Sequence, residues 1–171
     1  MSPESVFLEF SAKTLEQMCG RIETCADQLN HDQVWTRGTA NENAIGNLML
    51  HLAGNVRQWI LHGVAGQPDH RNRDAEFEAR GEVEIAELKR RLRSTVDEAA
   101  AAIRALPHER LIEKKTIQKH YDVTVLEAIY HVVEHFSGHT GQIIFATKLL
   151  TGHDLGFYAY LRAGKTAGQK P

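Results

Sequence analysis

The sequence predicts an all-α fold, a bundle of four long helices. Three observations carry this. Four long stretches repeat apolar residues at alternating steps of three and four, the signature of a helix with one buried stripe. No comparable stretch alternates apolar and polar residues, as a half-buried sheet would. Helix punctuation stands where such segments would begin and end: Pro107 closes the third, and Thr124 with Glu127 three residues on opens the fourth.

The first segment spans about residues 5–30, with Leu15, Met18, Ile22, Cys25 and Leu29 on its seam. The second spans about 43–64, with Ile45, Leu48, Leu52, Val56 and Trp59 as its stripe and Asn41 or Asn43 as its expected cap. Gly46 and Gly54 each weaken it by up to ~1 kcal/mol. Glycine at such sites lets another group come close. Residues 66–81 are polar, contain Pro68 and predict a long loop. The third segment, about 82–106, holds Ile85, Leu88, Leu92, Val96, Ala99, Ile103 and Leu106 in heptad register. The basic cluster Lys89-Arg90-Arg91-Arg93 at its middle is expected on a solvated face. Residues 111–125 are rich in β-branched side chains and predict a long connector of extended or hairpin character before the fourth helix. That helix runs to about residue 150. Aromatic residues at 157–160 are expected to fold back onto the body. Residues 1–163 then form one domain, and 164–171 a frayed tail.

Bulk properties narrow the function. With 20 basic and 22 acidic residues in 171, the net charge of −2 argues against nucleic acid and against a charged membrane surface as partners. No stretch reaches membrane-spanning length, and the opening Met1-Ser2-Pro3-Glu4 lacks the basic and apolar regions of a signal peptide. The two cysteines, Cys19 and Cys25, lie on different sides of a helix and read as reduced core residues. A cytoplasmic protein is expected.

Histidine is the one excess, with ten residues. Three of them, His131, His135 and His139, recur every fourth residue in the fourth segment, which stacks them along one side of a helix. An imidazole pair at that spacing is a bidentate metal clamp. On a helical wheel the apolar centre lies near Ile129, Phe136, Thr140 and Ile143. His139 sits at the stripe's edge, His135 one step out and His131 two. His51 sits at the matching edge of the second helix. A lone histidine there is more often a hydrogen-bonded core residue than a ligand. Together with the pair it makes a three-histidine face of the kind bundle cores use for metals. His62, His70, His108, His120 and His153 fall near segment ends or in loops and are expected to face solvent.

Two patterns resemble a known family. The run Asn47-x3-His51-Leu52-Ala53-Gly54-Asn55 and the pattern His135-x3-His139-x2-Gln142, with the first histidines 135 − 51 = 84 residues apart, are similar to the DinB-like superfamily of metalloenzymes. The resemblance extends over the whole chain in length and helix order. It implies a four-helix bundle of the DinB-like type, a homodimer, and a divalent metal held by His51, His135 and His139. It also implies thiol-dependent isomerase or S-transferase chemistry with a low-molecular-weight thiol such as mycothiol or bacillithiol. His131 is outside the family pattern.

Three neutral histidines leave the 2+ charge of an ion such as Zn, Ni or Fe unneutralised and leave coordination positions open. Such an ion makes thiolate or hydroxide available near neutral pH. The sequence therefore predicts a metal-dependent enzyme acting on a small molecule, by thiol transfer to an electrophile or by hydrolysis. A non-catalytic metal- or small-molecule-binding stress-response protein is the other class it allows. His131, Gln142, Asn47, Asn55 and Glu134 are within sequence reach of the ligands and are the candidates to orient them. No serine triad, phosphate-binding glycine loop or carboxylate pair stands out.

Overall fold

A computed structural model of the chain describes residues 1–162. The predicted fraying of 164–171 lies outside them. The chain is mostly helical. Helix α1 (Pro3–Ala26) starts where Ser2 Oγ accepts from Ser5 N–H and Pro3 takes the first helical position, where its missing N–H costs nothing. The first predicted segment stops short of residue 30. A separate five-residue helix that the sequence did not announce, α2 (His31–Trp35), follows it, because Asn30 and Gln33 form a reciprocal capping box that starts a new helix.

Helix α3 (Ile45–Val56) continues unbroken into a π-helical stretch, Arg57–Val64. Neither Asn41 nor Asn43 caps it. Ala44 is the cap residue, and Asn47 reaches back from inside the helix so that its Oδ1 accepts from Ala44 N–H at 3.1 Å. Gly46 does admit a close neighbour: a β-carbon there would stand 2.9 Å from the Trp35 ring.

The expected loop at 66–81 is not structureless. It holds helix α4 (Arg73–Glu78), capped by Asn72. Six charged-rich residues carry no apolar period, so nothing local announces it. Asn47 holds it in place by donating from Nδ2 to the carbonyls of Glu76 (2.9 Å) and Ala79 (3.0 Å). Helix α5 (Ile85–Arg104) buries Leu88, Leu92, Val96, Ala99 and Ile103 as its register predicts. Its basic cluster is paired: Lys89 with Asp27, Arg90 and Arg91 with Glu87, Arg93 with Glu23. Surface pairs of this kind contribute about 0–1 kcal/mol each.

The connector is a 3-10 turn (His108–Ile112) followed by a hairpin, β1 (Lys114–Ile117) and β2 (Tyr121–Thr124), antiparallel with Ile117 opposite Tyr121. Gln118 and Lys119 turn the chain with positive φ, 55° and 61°. Ile117 is fully buried against Gly63, which lacks the side chain that would exclude it. Helix α6 (Val125–Thr151) opens on the predicted box: Thr124 N–H donates to Glu127 Oε2 (2.6 Å), and Glu127 N–H to Thr124 Oγ1 (3.2 Å). It ends at Gly152 in the left-handed conformation, φ 70°.

The four long helices close a ring in which α1 and α3 each pack against both α5 and α6. One continuous core results, with Leu15, Ile22, Leu52, Leu92, Ile129 and Phe136 fully buried. Thr140 stays in it because its hydroxyl donates to the Phe136 carbonyl at 2.7 Å. Cys19 and Cys25 are both free and buried, and burial pushes the Cys19 thiol up to about 12. Phe157 packs against the core, and Arg21 lies over the rings of Phe157 and Tyr158 at 5.5 and 5.4 Å. A short helix, α7 (Ala159–Arg162), follows. No described helix is long and apolar enough to cross a membrane.

Candidate metal centre

Where α3 faces α6, the structure brings His51, His135 and His139 together. One ring nitrogen from each lies within 4.8 Å of the others. The His51 Nε2 and His135 Nε2 atoms are 2.9 Å apart. The His135 and His139 rings meet edge to face with centroids 4.5 Å apart. His131 is not in the cluster. Its ring lies tilted against Trp59 (centroids 4.1 Å) and stacks on His135 (5.6 Å), one turn before the clamp on the same helix.

Hydrogen bonds assign the tautomers of two rings. His51 Nδ1 lies 3.0 Å from Glu76 Oε2, which as an ionised carboxylate only accepts, and 3.1 Å from Arg71 Nη2, which itself donates to the same Oε2; the carboxylate is the one acceptor of the three, so Nδ1 carries the proton and Nε2 the lone pair. Gln142 Oε1 accepts from His139 Nδ1 at 2.7 Å with the same result. Orienting bonds of this sort, from the far nitrogen to an oxygen, typify metal-ligating histidines. Two imidazole nitrogens at 2.9 Å need a proton or a cation between them. Ligands of one ion at about 2.0–2.1 Å stand at most about 4.2 Å apart, a spacing that the 2.9 Å pair and the 4.8 Å limit of the cluster bracket. Three neutral nitrogen donors fit a borderline divalent ion.

Electrostatics favour the neutral form of two of the donors, His135 and His139. Burial, then the neighbouring His139 and His51, pull His135 down to about 4. Burial lowers His139 and His131 as well. Burial opposes the charge on Glu76. The hydrogen bonds from Arg71 and His51 outweigh it and hold the carboxyl below its usual range. Arg71, 3% exposed at its side chain, grips Glu76 with Nε to Oε1 (2.7 Å) and Nη2 to Oε2 (2.8 Å), and donates from Nη1 to Gln58 Oε1 (2.9 Å).

A family model described as "Protein of unknown function (DUF1572)" matches residues 3–162. The chain belongs to this family. The crystal structure of the "conserved protein of locus from Enterococcus faecalis" has a similar fold: TM-score 0.67, 19% identity, covering 84% of this chain and 96% of that one. No curated protein matches.

In this DUF1572 chain the remaining sequence candidates take different places. Gln142 touches a histidine of the cluster directly. Asn47 touches none. It anchors α4, which delivers Glu76 to His51, and also accepts from Arg37 Nη2 at 2.6 Å. Asn55, one turn after His51, is buried, and its Oδ1 has no hydrogen-bond partner among the described residues. Glu134 is exposed. His62 is half-buried rather than exposed, because its Nδ1 is hydrogen-bonded to the Gln67 carbonyl at 2.6 Å. His70, His108, His120 and His153 are exposed as expected.

Arg71 and Glu76, the main supports of His51, are absent from the sequence reading. Their one trace is Gly54. A β-carbon there would overlap the Glu76 carboxylate, so the glycine leaves the space that carboxylate occupies. A cleft of about 590 Å³ opens beside the cluster, walled by Trp59, Tyr121, Val123 and His131 and bordered by Arg71 and Arg73. That volume suits a small organic molecule.

Proposed function

We propose that this chain is a metal-dependent enzyme in which His51, His135 and His139 hold one divalent transition-metal ion, and that it transfers a thiol to a small electrophile. The single observation that carries the reading is the convergence of three rings from two helices, two of them with Nδ1 tied to an oxygen, which leaves Nε2 to ligate. An open metal position makes thiolate or hydroxide available near neutral pH. The protein's own residues do the rest. Glu76 and Gln142 hold two rings in the ligating tautomer. Trp59 keeps His131 beside the cluster but turned away from it, so the donor set is three rather than four. The cleft gives the substrate a place next to the cluster. The DinB-like type of bundle, the homodimer and the cytoplasmic setting belong to the same proposal and rest on the sequence resemblance.

Protein purified without an affinity tag should carry about one transition-metal ion per chain. His135→Ala should lower this to below about a tenth and abolish the rise in unfolding temperature on adding metal, with helical content unchanged. Metal retention by that variant would refute the site. Turnover of a thiol with an electrophilic substrate by the loaded protein supports transfer. Ester or amide hydrolysis without thiol would move the assignment to a hydrolase.

A further inference from the structure

Charge around the histidine cluster does not cancel. The three rings bring no negative charge, and the Glu76 carboxylate is matched by Arg71. Glu127 at the rim of the cleft is tied to its own cap by Thr124 N–H and Oγ1. Arg73 is left. Its guanidinium lies 4.8 Å above the Phe77 ring, which holds it without neutralising it, and it has no ion pair among the described residues. Arg73 borders the 590 Å³ cleft and also a shallower one of about 580 Å³ on the other side of His51 and His135. On the shallow side Arg73 is joined by Asp74 and Glu78, and on the deep side by Arg71 and one carboxylate, that of Glu127. An anion is therefore favoured on the deep side.

We propose that the deep cleft binds a small organic carboxylate, with Arg73 pairing its carboxylate group and Tyr121, Val123 and His131 contacting its apolar body. A guanidinium fork matches one carboxylate with two parallel hydrogen bonds. A single unpaired arginine suits a monoanion better than a phosphate, and the aromatic wall suits a flat organic body. His51 and His135 end the same cleft, so a bound carboxylate presents its other end to the cluster. The inference names the substrate class for the proposed enzyme and rests on that reading for its purpose. Arg73 itself is read from its position and missing partner.

Benzoate is the probe, titrated into zinc-loaded and chelator-treated protein and followed by protein-observed NMR, with inorganic phosphate in parallel. Benzoate should shift resonances of Tyr121, Val123 and His131 and bind more tightly than phosphate. Arg73→Gln should weaken it about tenfold at unchanged metal content, and Arg73→Lys by less. The Arg73 dependence should persist, at lower affinity, in chelated protein. Equal benzoate binding by wild type and Arg73→Gln, or tighter binding of phosphate, would overturn the proposal. A chain that takes up no metal yet binds benzoate through Arg73 would refute the metal reading alone. Metal uptake without any benzoate binding would refute the carboxylate site alone.

Discussion

His51 and His139 make the same kind of bond to the same end, yet from different depths of the fold. His139 is oriented by Gln142, three residues on along the same exposed turn of α6, so its partner comes with the helix. His51 is buried and oriented by Glu76, 25 residues away on a short helix that Asn47 and Arg71 hold in place. One support is local and forms whenever α6 forms. The other exists only after α4 has docked on α3. Orientation of the metal-facing nitrogens should therefore depend far more on the loop than on the clamp helix.

The largest expected effect is at Glu76. Glu76→Gln leaves the Arg71 charge buried without its counter-charge, a loss of about 3–5 kcal/mol in stability, and should lower metal affinity about 10–100-fold. Chemical denaturation and competition with a metallochromic chelator read the two. Next comes Gly54→Ala, which pushes a methyl group into the Glu76 carboxylate and should cost about 1–3 kcal/mol by overpacking while lowering metal affinity. Normal metal affinity in that variant would show that Glu76 does not act on His51.

A pH effect follows. His135 in the fold protonates only near pH 4, whereas in the unfolded chain it does so near the ordinary ~6.5. Between those values the unfolded state binds more protons. Chelated protein should thus lose stability as pH falls from about 6.5 towards 4 and pay nothing for this group above 6.5. Glu76, held below its usual range, adds a further loss only at lower pH still. Urea midpoints at several pH values measure this, and His135→Ala should flatten the slope in the upper window. The smallest effect belongs to Gln142→Ala, which removes one partly exposed hydrogen bond, a loss of at most about 0.5–1.5 kcal/mol in stability and of less than about tenfold in metal affinity. Equal losses from Gln142→Ala and Glu76→Gln would erase the contrast between local and long-range support.

The sequence by itself determined the helical periods, the Thr124 capping box, the hairpin connector and the two edges on which the histidines stand. Each is a property of neighbours within a turn or two, where spacing dictates which side chains share a face. The resemblance to DinB-like proteins rested on the same short-range patterns. Tertiary structure alone decided what no local period encodes. Helix α4 is too short to show an apolar repeat, and its place on α3 is fixed by Asn47, which bonds carbonyls 29 and 32 residues away, and by the Arg71–Glu76 pair. Glu76 therefore reads in the sequence as one more loop charge, and Gly54 as a weakness in α3 rather than the gap that carboxylate fills. Asn47 was legible as a site residue but not in its role, because its hydrogen bonds close over 29 and 32 residues. The ligands lay on regular helices and could be placed by counting. Their supports lay on a docked loop, where position is set by contacts rather than by period.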